Sequence, residues 1–274
     1  MTMQLHLQQV PARNGRLWIR HGFKVFQRQP LALVGLFGLF FFVAMTALLL
    51  LPGLGFFLFF GSLPLLSLGF MLATHLVLQK KAPNAGVFIA PLKLTAERRR
   101  HQLMLCGGYV LSVLLIVLLG EWVDGGAARD FAAKMTAGDS NGVADSLADP
   151  RLFWGITVRT LLMMLLTVPY WHAPALVHWG GQGAAQALFS SALALWRNRA
   201  AFVVNGLLWA FIMIATSLVP AMLLSALGLM VLAPFVGTVV SLVVSTVFYA
   251  SLYFTFVDCF MFGAPQNLLD DKQG

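Results

Sequence analysis

Charge is what this sequence has least of. Only 18 of its 274 residues are Lys or Arg and 10 are Asp or Glu, while 59% are hydrophobic. A soluble domain carries roughly a quarter charged residues, because its surface faces water. So few charges cannot cover a water-facing surface, which leaves lipid as the main solvent. Cysteine is equally scarce: Cys106 and Cys259 fall in or beside apolar segments, and two isolated thiols make neither a disulfide framework nor a metal-ligand cluster. The alternation of apolar and polar positions over about 10 residues that marks a membrane barrel strand is missing. Missing too are Gly-x-Ser-x-Gly, His-Glu-x-x-His, a P-loop, and Gly-x-Gly-x-x-Gly after a strand. The Gly180-Gly-Gln-Gly183 cluster has neither the lysine nor the strand of a phosphate-binding loop. No acidic residue lies in the middle of an apolar run, where ion-coupled transporters commonly place a carboxylate. These absences predict a protein that is not an enzyme and holds no cofactor or metal.

What is present is a series of long apolar runs. Crossing a hydrocarbon core of about 30 Å takes roughly 20 residues of helix. Six runs meet that length, about 31–51, 55–78, 102–120, 152–171, 201–223 and 236–256. The expected fold is an all-α integral membrane protein, a bundle of six transmembrane helices in one domain over 1–274. The first run is too long for the apolar region of a signal peptide, roughly 7–15 residues. Pro52 and the glycines after it make the first turn, and Pro64 and Pro169 remove backbone donors inside the second and fourth spans.

The net charge of +8 is distributed as a membrane protein distributes it, not as a nucleic-acid binder does. Arg13, Arg16, Arg20, Lys24 and Arg28 precede the first span. Lys80, Lys81, Lys93, Arg98, Arg99 and Arg100 lie between the second and third, Arg197 and Arg199 before the fifth, and Lys272 in the tail. These fourteen face three on the other side, Arg129, Lys134 and Arg151. Lys and Arg collect on the cytoplasmic side, so both termini are expected there, in a bacterial inner membrane. The outer connection, about 121–151, is acidic and glycine-rich, and reads as a flexible stretch with one short helix near 127–135.

Three segments could carry a function. Arg16, Arg20, Lys24 and Arg28 recur every four residues, lining one face of a helix over about 15–29. Leu17, Trp18, Phe23, Val25 and Phe26 supply its apolar bulk. This is the pattern of a helix lying in the membrane interface with its cations among anionic headgroups. It serves either as a lipid-recognition element or as a topology anchor, and Arg98, Arg99 and Arg100 read the same way. Residues 168–180, at the end of span four, hold Pro169, Tyr170, Trp171, His172, Pro174, His178 and Trp179. This is a broken span end that either lines a cavity or simply bends. The six-residue separation of His172 and His178 does not place them on one helical face. Arg159 sits eight residues into span four, as a mid-membrane functional cation or, if the span begins later, as an interfacial one. Arg159, Tyr170, His172, Pro174 and His178 are the candidate cavity residues. A weak repeat is also visible. Polar or basic amphipathic stretches at about 15–29, 86–101 and 183–199 each precede a pair of spans, and Phe26-Gln-Arg-Gln-Pro30 echoes Trp196-Arg-Asn-Arg-Ala200.

The order of several segments carries a resemblance. They are Trp18-Ile-Arg-His-Gly-Phe23 with Arg28-Gln-Pro30, Ser67-Leu-Gly-Phe-Met71, Trp171-His-Ala-Pro-Ala-Leu176, Ala187-Leu-Phe-Ser-Ser191 with Trp196-Arg-Asn198, and Ser251-Leu-Tyr-Phe-Thr-Phe256 with Asp258-Cys259. Over almost its whole length the chain resembles a family of bacterial inner-membrane proteins found largely in betaproteobacteria. More distantly it is similar to the group that includes the glycerophosphodiester phosphodiesterase membrane domain and YciC-type envelope proteins. The resemblance implies a non-enzymatic role in envelope or lipid homeostasis, because those relatives carry any hydrolase chemistry in a separate soluble domain. The expected partners are membrane lipids with anionic headgroups, with a homo-oligomer or an envelope partner left open. The alternative is a small-solute or lipid transporter with its cavity at the broken end of span four.

Overall fold

The computed structural model describes residues 6–260 apart from Pro52. Lys272, counted above with the basic side, and Pro52, assigned above to the first turn, lie outside the described residues. The described residues form helices and no strand: α1 (Asn14–Arg28), α2 (Pro30–Leu50), α3 (Leu54–Leu78), α4 (Gly86–Ile89), α5 (Ala96–Asp124), α6 (Ala127–Ala137), α7 (Ser140–Leu147), α8 (Pro150–Tyr170), α9 (Ala173–Gly180), α10 (Ala184–Arg197), α11 (Arg199–Ala226) and α12 (Ala233–Phe260). Six segments are long and apolar enough to cross a membrane: α2, α3, α5, α8 continued by α9, α11 and α12. The third span, α5, runs past the apolar run 102–120 at both ends. It starts at Ala96, where Thr95 Oγ1 accepts from Arg98 N at 3.5 Å as its cap. α8 starts at Pro150 behind Asp149, whose side chain accepts from Arg151 N at 2.8 Å, satisfying one of the donors a helix start leaves open. The Arg151 side chain on the same carboxyl holds Asp149 below the usual carboxylate range.

The connection over 121–151 is not the flexible stretch expected from its glycines. It folds into two helices, α6 and α7, joined by a bond from Lys134 Nζ to Ser146 Oγ at 3.0 Å. Gly125 and Gly126, with φ of 59° and 93°, make the left-handed turn between α5 and α6. Only glycine adopts that conformation without strain, so these residues punctuate helices instead of loosening a loop.

The repeat is architectural. Three hairpins, α2–α3, α5–α8 and α11–α12, are each preceded by a shorter helix: α1, α4 with the 3-10 turn Ala90–Lys93, and α10. Each of these packs against the second span of a different hairpin, α4 on α3, α10 on α8 and α1 on α12, so the order closes into a cycle. Between hairpins, α3 packs on α5 and α12 packs on α2. The third junction, α8 to α11, shows no comparable packing among the described residues.

Buried side chains concentrate toward one end. In α12 every buried residue lies from Val244 onward, and in α11 the buried residues are Ala201, Asn205 and Trp209. This end also holds the basic residues. Gln29 Nε2 bonds Lys81 O at 3.4 Å, Arg98 Nη1 bonds His178 O at 3.0 Å, and Asn198 Nδ2 bonds Gln8 O at 3.0 Å. It is called the basic end below, and the end carrying α6 and α7 the acidic end.

Candidate functional site

α1 does not lie loose in the membrane interface with its apolar bulk turned to lipid. Trp18 and Val25 are fully buried, and Gly15, Ile19 and Gly22 are buried beside them. The glycines are the reason. A Cβ at Gly22 would lie 2.8 Å from Ser251 Cβ and 3.0 Å from Val247 O, and one at Gly15 would strike the Ala201 carbonyl and Asn205 N. Small residues at a crossing let backbones approach closely, so α1 beds between α11 and α12. The Trp18 indole then donates to Asp258 Oδ2 at 2.7 Å, and Asn14 Nδ2 donates to the same oxygen at 2.8 Å. The opposite face keeps Arg16, Arg20 and Arg28 exposed, with Lys24 half-buried in line. Arg99 and Arg100 are exposed as well, whereas Arg98 is half-buried and spent on His178 O.

At the end of span four the helix stops at Tyr170, turns through Trp171 and His172, and resumes as α9 with Pro174 in its first turn. Neighbours take up the polar groups of that break. His172 N donates to Ser191 Oγ at 2.9 Å, and His172 Nε2 and the Trp171 indole both meet Thr255 Oγ1, at 3.0 and 3.1 Å. Gln102 Nε2 donates to Pro174 O at 2.8 Å. A break in a spanning helix is tolerated where neighbouring side chains satisfy the freed backbone, and here α5, α10 and α12 each contribute one. His172, Pro174 and, through its backbone carbonyl, His178 therefore serve as tie points between helices. His172 is fully buried, and its Nδ1 and that of His178 have no partner among the described residues. Asn198 completes the set: its Oδ1 accepts from Val10 N at 2.9 Å, and its Nδ2 donates to Cys259 Sγ at 3.4 Å. Trp18, His172, Ser191, Asn198, Thr255 and Asp258, from segments far apart in sequence, join the helices at this end.

Tyr170 does line a cavity. A space of about 140 Å³ lies between α3, α5, α8 and α12, walled by Pro64, Ser67, Tyr109, Tyr170, Trp171 and Tyr249 among others. Arg159 is not part of it. Its guanidinium bonds the Asp124 carboxylate at the end of α5 and lies 3.9 Å from Glu121. Trp122 and Trp154, both exposed, stand at the same level, where aromatic residues mark the headgroup layer. The candidate cavity residues are thus divided between a tie cluster, a small cavity and an ion pair at the acidic end. Sequence reasoning missed Asp124, the partner of Arg159, which is indistinguishable by composition from the other loop acids. The glycines within the spans differ in their surroundings. Gly108 meets the Tyr170 hydroxyl, but Gly35, Gly38 and Gly107 have nothing within 4 Å of a Cβ position.

Two grooves several times the size of that cavity lie among the described residues. One of about 580 Å³ between α3 and α5 is apolar, with Gly61 and Gly107 in its floor. The other, about 650 Å³, lies between α8, α10 and α11. Among the described residues no group of three or more His, Cys, Asp or Glu side chains is placed to hold a metal ion.

Fold and site together define a polytopic helical membrane protein tied at its basic end. Neither a protein-family model nor a solved structure matches the chain. It is 30% identical over 257 residues to the probable inner membrane protein BTH_II0599 of Burkholderia thailandensis, covering 93% of this chain and 94% of that one. The chain belongs to the family of that probable inner membrane protein, and its own six apolar helices make it multi-pass.

Proposed function

We propose that this protein is a non-enzymatic component of the inner membrane whose basic end holds anionic lipid headgroups, in the service of envelope or lipid homeostasis. The observation that carries this reading is α1. With its glycine and tryptophan face locked onto α11 and α12, it presents Arg16, Arg20 and Arg28 outward as a rigid stripe. Each cation beside an anionic leaflet contributes about 1 kcal/mol, and Arg99 and Arg100 add to the same end. The excess of Lys and Arg at this end supports an orientation with both termini in the cytoplasm. A non-enzymatic reading is supported by the use of His172, Ser191 and Thr255 as ties between helices. The transport alternative loses its strongest residue, because Arg159 is paired at the acidic end.

Lipid analysis of the protein extracted in native nanodiscs tests the proposal. Wild type is expected to carry phosphatidylglycerol and cardiolipin above their share of the membrane. Arg16→Glu, Arg20→Glu and Lys24→Glu together should bring the excess down. An unchanged lipid profile overturns the reading.

A further inference from the structure

We infer that the open junction between α8 and α11 is a binding site for one anionic phospholipid, its acyl chain in the groove and its phosphate on Arg199. The inference rests on the anionic-lipid reading above and assigns it a place. The cyclic arrangement of three hairpins closes two of its junctions by helix contact, α3 on α5 and α12 on α2, and leaves this one apart. What lies there is a groove of about 650 Å³, within the roughly 300–1,000 Å³ of clefts that take small ligands. Met164 and Val168 of α8 form one wall, Phe202 and Val203 of α11 the other, and Leu193 of α10 lies between them.

The chemistry of the groove selects the occupant. Its lining is apolar except at the basic end, where Arg199 is the sole charged side chain among the described lining residues. The Arg199 guanidinium lies over the Trp196 ring, 5.6 Å from its centroid, a placement that holds the cation by the ring's electron-rich face. Arg199 and Trp196 are both exposed, as is Phe189 at the groove's edge. An apolar slot opening to the bilayer, ending in a positioned guanidinium, matches one acyl chain followed by a phosphate. A zwitterionic lipid offers the same phosphate but offsets its charge with its own ammonium, and an apolar helix of another protein would leave the cation unused.

The full chain in nanodiscs, with a trace of phosphatidylglycerol bearing a diazirine in one acyl chain, tests the site by mass mapping of the labelled peptides. Wild type should be labelled within residues 189–203, and unlabelled phosphatidylglycerol should compete better than phosphatidylcholine of the same chains. Arg199→Gln should weaken that competition about fivefold, the effect of one cation at an anionic surface. Val203→Trp, at an exposed position, should fill the groove and remove the label while leaving the bundle folded. Labelling spread over all lipid-facing helices, or unmoved by either variant, overturns this site even if wild type still prefers phosphatidylglycerol overall. No preference for phosphatidylglycerol anywhere on wild type overturns the anionic-lipid reading itself. A crosslink between two copies at this face in place of the lipid label overturns the site in favour of a protein-filled junction.

Discussion

Arg159 of α8 reaches the Asp124 carboxylate at the last turn of α5 through space left by two glycines. A Cβ at Gly120 would run into the Arg159 side chain, and one at Gly155 would run into Asp124. The Asp124 side chain has no solvent exposure, while that of Arg159 keeps 21%. Asp124 Oδ1 also accepts from Gly126 N at 2.9 Å, so the pair ties α5, α8 and the turn into α6 at one point. Removing one member of a buried pair strands the other, at about 3–5 kcal/mol. Arg159→Leu is therefore expected to lower unfolding stability in detergent by about that much, measured by denaturant titration. Asp124→Leu added to it should recover most of the loss. A double variant no more stable than Arg159→Leu alone would show that the two charges are not coupled.

The seating of α1 makes a second prediction. Gly22→Ala places a methyl 2.8 Å from Ser251 Cβ, and overpacking of this kind costs about 1–3 kcal/mol. Protease cleavage around α1 should accelerate in that variant while the six spans stay intact. Gly35→Ala, where nothing lies within 4 Å of the new methyl, is the matched control and should behave as wild type.

Asn198 holds the chain before α1 to both later helices of its neighbourhood. It is buried, and it bonds Val10 N, Gln8 O and Cys259 Sγ. Asn198→Ala leaves buried backbone groups unsatisfied, about 1–3 kcal/mol, and uncovers Cys259. The thiol should then react with maleimide faster than in wild type, and amide exchange at Val10 should speed up with it.

The spans were legible in the sequence because a hydrocarbon solvent demands about 20 apolar residues in a row, a constraint no local packing can override. The repeat was legible for a related reason, since each hairpin is entered through a helix that must keep a polar face. The partner of Arg159 was not legible. Asp124 lies 35 residues away and resembles five other acids of the same stretch. The glycines also misled: Gly125 and Gly126 terminate helices, while Gly15 and Gly22 mark the crossing that buries α1. The open junction is invisible to composition, because a helix face turned to lipid and one turned to another helix are equally apolar. His172 and His178 looked alike in sequence, but one is sealed against Thr255 and the other lies on α9 against α5.

Orientation can be read directly, because the native thiols, Cys106 and Cys259, are both buried and give little background with a bulky maleimide. Ala137 at the end of α6 and Arg99 at the start of α5 are exposed at opposite ends of the bundle. A membrane-impermeant maleimide added to intact spheroplasts is expected to label Ala137→Cys and spare Arg99→Cys. In inverted membrane vesicles the two should exchange. The opposite insertion would carry fourteen Lys and Arg residues across the membrane in place of three, and such loops are retained on the cytoplasmic side. Labelling of Arg99→Cys in spheroplasts would place the α1 stripe on the outer leaflet, and the proposed lipid partner would have to be sought there.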